Sequence, residues 1–212
     1  MVAGGTGLVG GLLVQRLLED ARYEQVHAVG RRPLGLTHPR LHEHMVVLDA
    51  LAAWKDCPAV DDAYCALGTT LGKAGSRALF RAVDLDAVVA FARVARAAGA
   101  QRFLLVSALG ADARSKMFYN RTKGEAEEAV AALGFPEVHV VRPSLLDGPR
   151  RESRPLEQLS LVVARAAAPL LGHYRPIHAD DVARAMVGYA FDGIPGVSVH
   201  ESDHAWERAH RA

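Results

Sequence analysis

The sequence begins with five glycines within its first eleven residues, "MVAGGTGLVGG", and this cluster constrains the fold more than any other feature. Glycine destabilises the interior of a helix or strand by roughly 0.5–1 kcal/mol relative to alanine, so the cluster needs a reason. A short apolar run precedes it, and apolar residues recur at helical spacing after it, from Leu8 to Glu19. The order of strand, glycines and helix predicts a phosphate-binding turn, in which N–H groups at the helix start and the helix dipole hold the anion.

The spacing of the glycines indicates a dinucleotide. Gly5, Gly7 and Gly10 fit the pattern G-x-G-x-x-G, and Gly4, Gly7 and Gly10 fit G-x-x-G-x-x-G. In such loops the first glycine allows a tight turn, the second lets a pyrophosphate approach, and the third lets the helix pack closely on the sheet. The alternative is a glycine-rich turn that binds nothing. The residues predicted to contact the dinucleotide are Gly4, Gly5, Thr6, Gly7, Leu8, Val9 and Gly10.

Short apolar runs alternate with longer helical patterns along the rest of the chain. The predicted strands are residues 26–30, 45–49, 63–68, 102–108, 138–144 and 197–201, and the predicted helices are 79–98, 118–133, 156–168 and 179–191. A polar loop, "GPRRESRP", separates the last two helices from the preceding strands. This alternation predicts an α/β fold: a Rossmann-like, doubly wound parallel sheet with helices on both faces and a small C-terminal extension. We expect one domain over residues 1–212, with a substrate-side region at about 144–212.

Charge and composition weigh against several classes of function. Lys and Arg total 25 and Asp and Glu total 24, so no strong field attracts the chain to nucleic acid or a membrane surface. The most apolar late stretch, "LSLVVARAAAPLLG", is interrupted by Arg165 and Pro169 and is shorter than the roughly 20 residues of a membrane span. The glycine cluster also stands where a signal peptide would have its apolar region. We therefore expect no nucleic-acid or membrane partner.

Cysteine usage and the start of the chain give two further expectations. Cys57 and Cys65 are too few for a disulfide framework, which favours a reducing, cytoplasmic location. A central first strand normally has about five or six residues, so we expect the natural protein to have apolar residues before Met1. His38, His42 and His44 lie in a predicted loop with Pro39 and lack the flanking carboxylates of a metal site, so we expect no metal.

The choice of cofactor depends on the end of the second predicted strand, where NAD-binding folds usually place a carboxylate on the ribose 2′-hydroxyl. This chain has Arg31 and Arg32 there, which suit a 2′-phosphate, so NADP(H) is favoured over NAD. The alternative is two solvated arginines. Asp49 is expected either to meet the adenine edge or to cap the next helix. The stretch "ALGTT" would pass beside the cofactor through Leu67, Gly68 and Thr69.

Tyr119 and Lys123 are the candidate acid-base residues, because their i,i+4 spacing places both on one face of a helix. A phenol titrates near pH 10, and a neighbouring ammonium lowers that pKa, so Tyr119 is expected to transfer a proton while hydride moves to or from a nicotinamide. Lys123 is also expected to hold the nicotinamide ribose. Ser107, twelve residues before Tyr119, is the candidate hydroxyl that orients a substrate carbonyl. On its own, the Tyr-x-x-x-Lys pattern also occurs by chance in many helices.

These residues together resemble the short-chain dehydrogenase/reductase (SDR) superfamily over nearly the whole chain. The stretches "LGTTLGKAGS", "VSALGADARS", "FYNRTKGEAE" and "GPRRESRP" are similar to the atypical subgroup that contains the HIV Tat-interacting protein and its small bacterial relatives. The resemblance implies a Rossmann-fold NADP(H)-binding protein, with Pro143 of "VRPSLLDGPR" near the cofactor. The chain departs from the superfamily by having Ala108 and Leu109 where a serine is usual, and Asp84 in place of an asparagine.

Three functions follow as hypotheses. The first is an NADP(H)-dependent oxidoreductase acting on a small carbonyl or alcohol. The second is a non-catalytic NADP(H)-binding regulator or redox sensor, and the third is a nucleotide-sugar epimerase or dehydratase, which the short chain weakens. A homodimer through the helix at 79–98 is an additional expectation. Three loop arginines are expected either to bind an anionic substrate or to pair with nearby glutamates in solvent: Arg150, Arg151 and Arg154.

Overall fold

The computed structural model describes residues 1–54, 56–148 and 176–211, without the side chains of residues 48 and 49. Its strands are β1 (Val2–Ala3), β2 (Val26–Gly30), β3 (Leu41–Met45), β4 (Asp62–Cys65), β5 (Arg102–Val106), β6 (Glu137–Arg142), β7 (Leu146–Asp147), β8 (Ile177–His178) and β9 (Gly196–Glu201). Its helices are α1 (Leu8–Glu19), α2 (Leu71–Ala74), α3 (Arg77–Arg81), α4 (Ala87–Ala97), α5 (Phe118–Ala131), α6 (Ala179–Tyr189) and α7 (Ser202–Ala209). A 3₁₀ helix spans Leu48–Ala53, and a π-helical turn at Ala82–Asp86 joins α3 to α4. The predicted helix at 156–168, most of the polar loop and its three arginines lie outside the described residues.

Seven parallel strands form one sheet in the order β3-β2-β1-β4-β5-β6-β9. Successive strand residues point to opposite faces, so Val2 faces a core with α1, α6 and α7, whereas Ala3 faces a core with α4 and α5. The doubly wound α/β fold is therefore confirmed. None of the described helices combines the length and the apolarity of a membrane-spanning segment.

The third strand was predicted wrongly. The sequence placed it at residues 45–49, but β3 is Leu41–Met45, paired in parallel with β2. The strand lies at the edge of the sheet with His42 and Glu43 exposed, so it does not need the apolar run of a central strand. That run instead leads into the 3₁₀ helix, which buries Leu51.

Two of the three histidines expected in a loop, His42 and His44, therefore lie on β3, whereas His38 precedes the strand. His42 stacks on His27 of β2 with ring centroids 5.1 Å apart, and His44 Nε2 lies 3.0 Å from His27 Nδ1. Among the described residues, no three His, Cys, Asp or Glu side chains are grouped to hold a metal ion.

The helix predicted at 79–98 extends from Arg77 to Ala97 through the π-helical turn. Gly99 follows it with a φ of +99°, the left-handed conformation expected of a glycine that ends a helix. Phe91 and Ala92 of α4 are fully buried against the sheet. Many of the apolar side chains that suggested a homodimer thus pack within the chain, whereas Leu79 is exposed, and the homodimer stays a prediction.

Candidate active site

The glycine loop passes directly over the end of β4. Gly4 has a φ of +86°, and a Cβ atom on it would lie 2.4 Å from the carbonyl oxygen of Ala66. Any other residue would be strained in its backbone and would collide with the chain beneath. The first glycine therefore brings the loop against the segment that follows β4.

The third glycine brings the helix onto the same loop. A Cβ atom on Gly10 would lie 2.2 Å from the Gly4 carbonyl oxygen, so α1 approaches as closely as a glycine permits. The Gly7 N–H donates to the Gly4 carbonyl (2.9 Å) and closes the turn. The N–H groups of Leu8 and Val9 point out of the N-terminus of α1, and Thr6 and Gly7 are exposed beside them. This cradle fits a phosphate group.

The segment after β2 crosses beside this cradle. A Cβ atom on Gly5 would lie 3.0 Å from the Leu34 Cδ2 methyl, and the Leu34 N–H donates to Glu43 Oε2 (2.7 Å). Arg31 and Arg32 are exposed on the same segment. Asp49 belongs to the 3₁₀ helix, and its side chain lies outside the described part of the structure.

A buried ion pair lies under the loop that follows β4. The Lys123 Nζ atom of α5 is 2.7 Å from Oδ1 of Asp84, whose side chain is fully buried. The Thr69 N–H donates to Oδ2 of the same carboxylate (2.8 Å). A Cβ atom on Gly68 would lie 3.4 Å from Asp84 Oδ1 and 3.5 Å from Lys123 Nζ, so the pair directly adjoins this loop. Leu67, Gly68 and Thr69 thus connect the glycine cradle to the ion pair.

Tyr119 lies one helical turn before Lys123, with its ring 5.5 Å from that of Phe80. Burial raises the pKa of its phenol, the Lys123 ammonium lowers it, and the Asp84 carboxylate raises it, with a net upward shift. The expectation of a lowered pKa is therefore wrong, because it took account of the ammonium without its carboxylate. Burial opposes the charge of Lys123, but Asp84 and Tyr119 outweigh it and raise the pKa of the ammonium.

Ser107 does not have the surroundings that were expected of it. Its buried hydroxyl donates to Oε1 of Glu127, which pairs with Arg142 at 3.1 Å (Oε1–Nε) and 2.5 Å (Oε2–Nη2). The hydroxyl assigned to a substrate carbonyl is thus used in a hydrogen-bond network inside the protein. Glu127 was missed from the sequence, although it stands four residues after Lys123 on the face that also presents Tyr119.

Pro143 is buried after β6, and its carbonyl accepts a hydrogen bond from the Leu109 N–H (3.0 Å). The structure therefore places it beside the segment that follows Ser107, at the carboxyl edge of the sheet. Contact between Pro143 and a cofactor stays a prediction.

Comparison with known proteins agrees with this geometry. A family model described as NAD(P)H-binding matches residues 4–192. The chain belongs to this NAD(P)H-binding family. It is 34% identical to the protein named FMP52, mitochondrial, of Coccidioides immitis (strain RS), over 92% of this chain and 86% of that protein.

Two solved structures share the fold. MoeE5 in complex with UDP-glucuronic acid and NAD has a TM-score of 0.73 at 22% identity, over 93% of this chain and 74% of that one. The dTDP-glucose 4,6-dehydratase DesIV from Streptomyces venezuelae, with NAD and TYD bound, has a TM-score of 0.70 at 19% identity, over 93% and 73%. The fold and the family match support an SDR-like superfamily and a nicotinamide cofactor.

The expected cytoplasmic location is contradicted by these comparisons. FMP52 relatives that are 32–35% identical to this chain, from Coccidioides immitis, Aspergillus clavatus and Debaryomyces hansenii, are all named mitochondrial. Cysteine usage was a poor guide, because a low cysteine count indicates a reducing compartment without saying which one.

Proposed function

We propose that this protein is an NADP(H)-dependent oxidoreductase that acts on a small carbonyl or alcohol, with Tyr119 as the acid-base residue and Lys123 beside it. One observation carries the proposal. The Lys123 ammonium adjoins Gly68, and the same loop meets the glycine cradle where Ala66 contacts Gly4. Groups suited to proton transfer and groups suited to binding a dinucleotide thus share one edge of the sheet.

The cofactor would be held by the backbone of the cradle and by residues 67–69, and it supplies or accepts the hydride when bound. NADP(H) is preferred over NAD(H) because Arg31 and Arg32 are exposed on the segment beside the cradle, where the nearby Glu43 carboxylate is already bound by the Leu34 N–H. Two arginines match the charge and the planar hydrogen-bonding geometry of a 2′-phosphate. We place the protein in the subgroup of the Tat-interacting protein on the sequence resemblance given above.

A specific observation favours a second candidate, a non-catalytic NADP(H)-binding regulator. The Ser107 hydroxyl is committed to Glu127, and the next two residues, Ala108 and Leu109, carry no hydroxyl. A site with no such hydroxyl would keep its cofactor and lose the group that orients a carbonyl.

The experiment is a screen of small aldehydes and ketones that follows the absorbance of NADPH, with Tyr119→Phe tested on any substrate found. General acid-base assistance contributes about 10²–10⁴-fold, so a loss of that size in kcat is expected with little change in NADPH affinity. The substituted ring keeps its contact with Phe80. Tyr189→Phe is the matched control, because that buried hydroxyl on α6 has no hydrogen-bond partner among the described residues.

Two outcomes decide against the oxidoreductase. Full activity of Tyr119→Phe would remove the acid-base role. Tight calorimetric binding of NADPH without turnover of any carbonyl would favour the regulator.

A further inference from the structure

Asp84 is the one fully buried carboxylate at this edge of the described sheet, and it contacts both parts of the site. We propose that Asp84 is a positioning residue that fixes the Lys123 ammonium and disfavours the phenolate form of Tyr119, so that the phenol is a proton donor in the reduction of a carbonyl. The inference rests on the proposed function, because it concerns proton transfer at the same site.

The two carboxylate oxygens of Asp84 have different partners. Oδ1 lies 2.7 Å from the Lys123 Nζ atom of α5, and Oδ2 accepts the Thr69 N–H (2.8 Å) from the loop after β4. The Lys123 side chain is itself only 8% exposed. The Asp84 carboxylate therefore links the Lys123 ammonium to the loop that adjoins the glycine cradle. Both charged side chains are shielded from solvent.

The local backbone explains how an acidic side chain reaches this position. Asp84 lies in the middle of the π-helical turn, between α3 and the α4 segment whose apolar side covers the sheet. A π-helical turn inserts one residue and so rotates the side chains that follow by about 100°, one residue's share of an α-helical turn. Asp84 can thus pair with α5 while Phe91 stays in the core.

Two charged groups of opposite sign act on the Tyr119 phenol, the Lys123 ammonium and the Asp84 carboxylate. The Asp84 carboxylate offsets the Lys123 ammonium. Besides Tyr119, the other titratable group that acts on this pair is Cys65 of β4. Burial raises the pKa of the Cys65 thiol to about 12, so it is neutral at physiological pH. Burial and Asp84 likewise raise the pKa of Tyr119 against the effect of Lys123. The phenol is then an acid ready to donate, and it becomes a base only in alkaline solution.

The reduction balances with groups already named. A bound reduced nicotinamide would supply a hydride to the carbonyl carbon, the C=O π bond would open, and Tyr119 would donate its phenolic proton to the oxygen. Water then returns a proton to the phenolate. One carbonyl, one NADPH and one proton give one alcohol and one NADP⁺.

The test is an alkaline titration of the protein alone, followed by the ultraviolet absorbance of tyrosinate. The signal of Tyr119 is the difference between each variant and the same variant with Tyr119→Phe. Asp84→Asn keeps the shape of the side chain and removes its charge, so the loss of the carboxylate's repulsion of the phenolate should lower the pKa of Tyr119 by about one unit, a tenfold rise in its ionisation constant. Asp86→Asn is the matched control, because Asp86 is exposed on the same turn.

An unchanged Tyr119 titration in Asp84→Asn, or an equal shift in Asp86→Asn, would overturn the proposal. If Asp84→Asn does not fold, the wild-type protein still decides, since ionisation of Tyr119 clearly below its ordinary pKa of about 10 would refute a protonated donor. These readouts need neither substrate nor cofactor. They therefore remain interpretable if the carbonyl screen fails, and that screen can fail without affecting them.

Discussion

Gly10→Ala should weaken both the fold and its binding of NADPH, because the added methyl group has no room. Its Cβ atom would lie 2.2 Å from the Gly4 carbonyl oxygen and 2.7 Å from the carbonyl carbon. Ordinary contacts between such atoms are about 3.5 Å, so α1 must move away from the loop by about 1 Å. Both obstructing atoms belong to the backbone, and no side chain can turn aside.

The magnitude follows from two opposing effects. Alanine favours a helix by about 1 kcal/mol over glycine, whereas an overpacked contact costs about 1–3 kcal/mol. The free energy of unfolding should therefore fall by up to about 2 kcal/mol. Displacement of the N–H groups of Leu8 and Val9 from the cradle should weaken NADPH binding tenfold or more, about 1.4 kcal/mol.

Urea unfolding and calorimetric titration with NADPH measure the two quantities. Gly72→Ala is the matched control: a Cβ atom on Gly72 meets nothing within 4 Å, so this variant should bind NADPH like the wild type. Wild-type affinity in Gly10→Ala would refute the view that the loop and the helix start form the phosphate site.

Two other predictions concern cofactor choice and acid stability. The double variant Arg31→Ala, Arg32→Ala should lose about ten- to a hundredfold in NADPH affinity by calorimetry with little change for NADH, because one charge-assisted contact contributes about 1.5–3 kcal/mol. The control Arg114→Ala, which removes a 94% exposed guanidinium, should leave the preference for NADPH intact. An unchanged preference in the double variant would contradict the assignment of these two arginines to the 2′-phosphate. Burial lowers the pKa of His27 and of His200 to about 4 in the folded state, so the unfolded chain binds more protons from about pH 6.5 down to pH 4. The free energy of unfolding should thus decrease as the pH falls through this window, by up to about 2 kcal/mol for each histidine after solvent screening. Urea titrations of the wild type and of His27→Gln at several pH values would measure this decrease. If the free energy of unfolding depends equally on pH in the two proteins, His27 does not contribute to the decrease.

The sequence predicted the features that depend on local chemistry. The glycine spacing indicated the cradle because only glycine tolerates the approach of Gly10 to Gly4, and the central strands were evident because both of their faces are buried. The edge strand β3 was misplaced because it has exposed residues on both faces, which permits the polar residues of "LHEHM".

The partners of the buried polar groups could not be predicted from the sequence. Asp84 and Lys123 are 39 residues apart along the chain. Their pairing depends on a π-helical turn that no local sequence pattern indicated. The same holds for Ser107, whose hydroxyl meets Glu127 across two elements. The raised pKa of Tyr119 follows from such a partner, which explains why the spacing of Tyr119 and Lys123 was identified correctly and its electrostatic effect was not.

The strand order also has a consequence for how the chain assembles. In the order β3-β2-β1-β4-β5-β6-β9, each strand of this sheet after β1 lies beside one that was synthesised earlier, and no later strand enters between two that are already paired. The sheet can therefore grow outward from β1 while the chain is still being synthesised, one open edge at a time. The segment from β1 to α5 contains the glycine cradle, Asp84, Tyr119 and Lys123, so these groups can come together before β9 has left the ribosome.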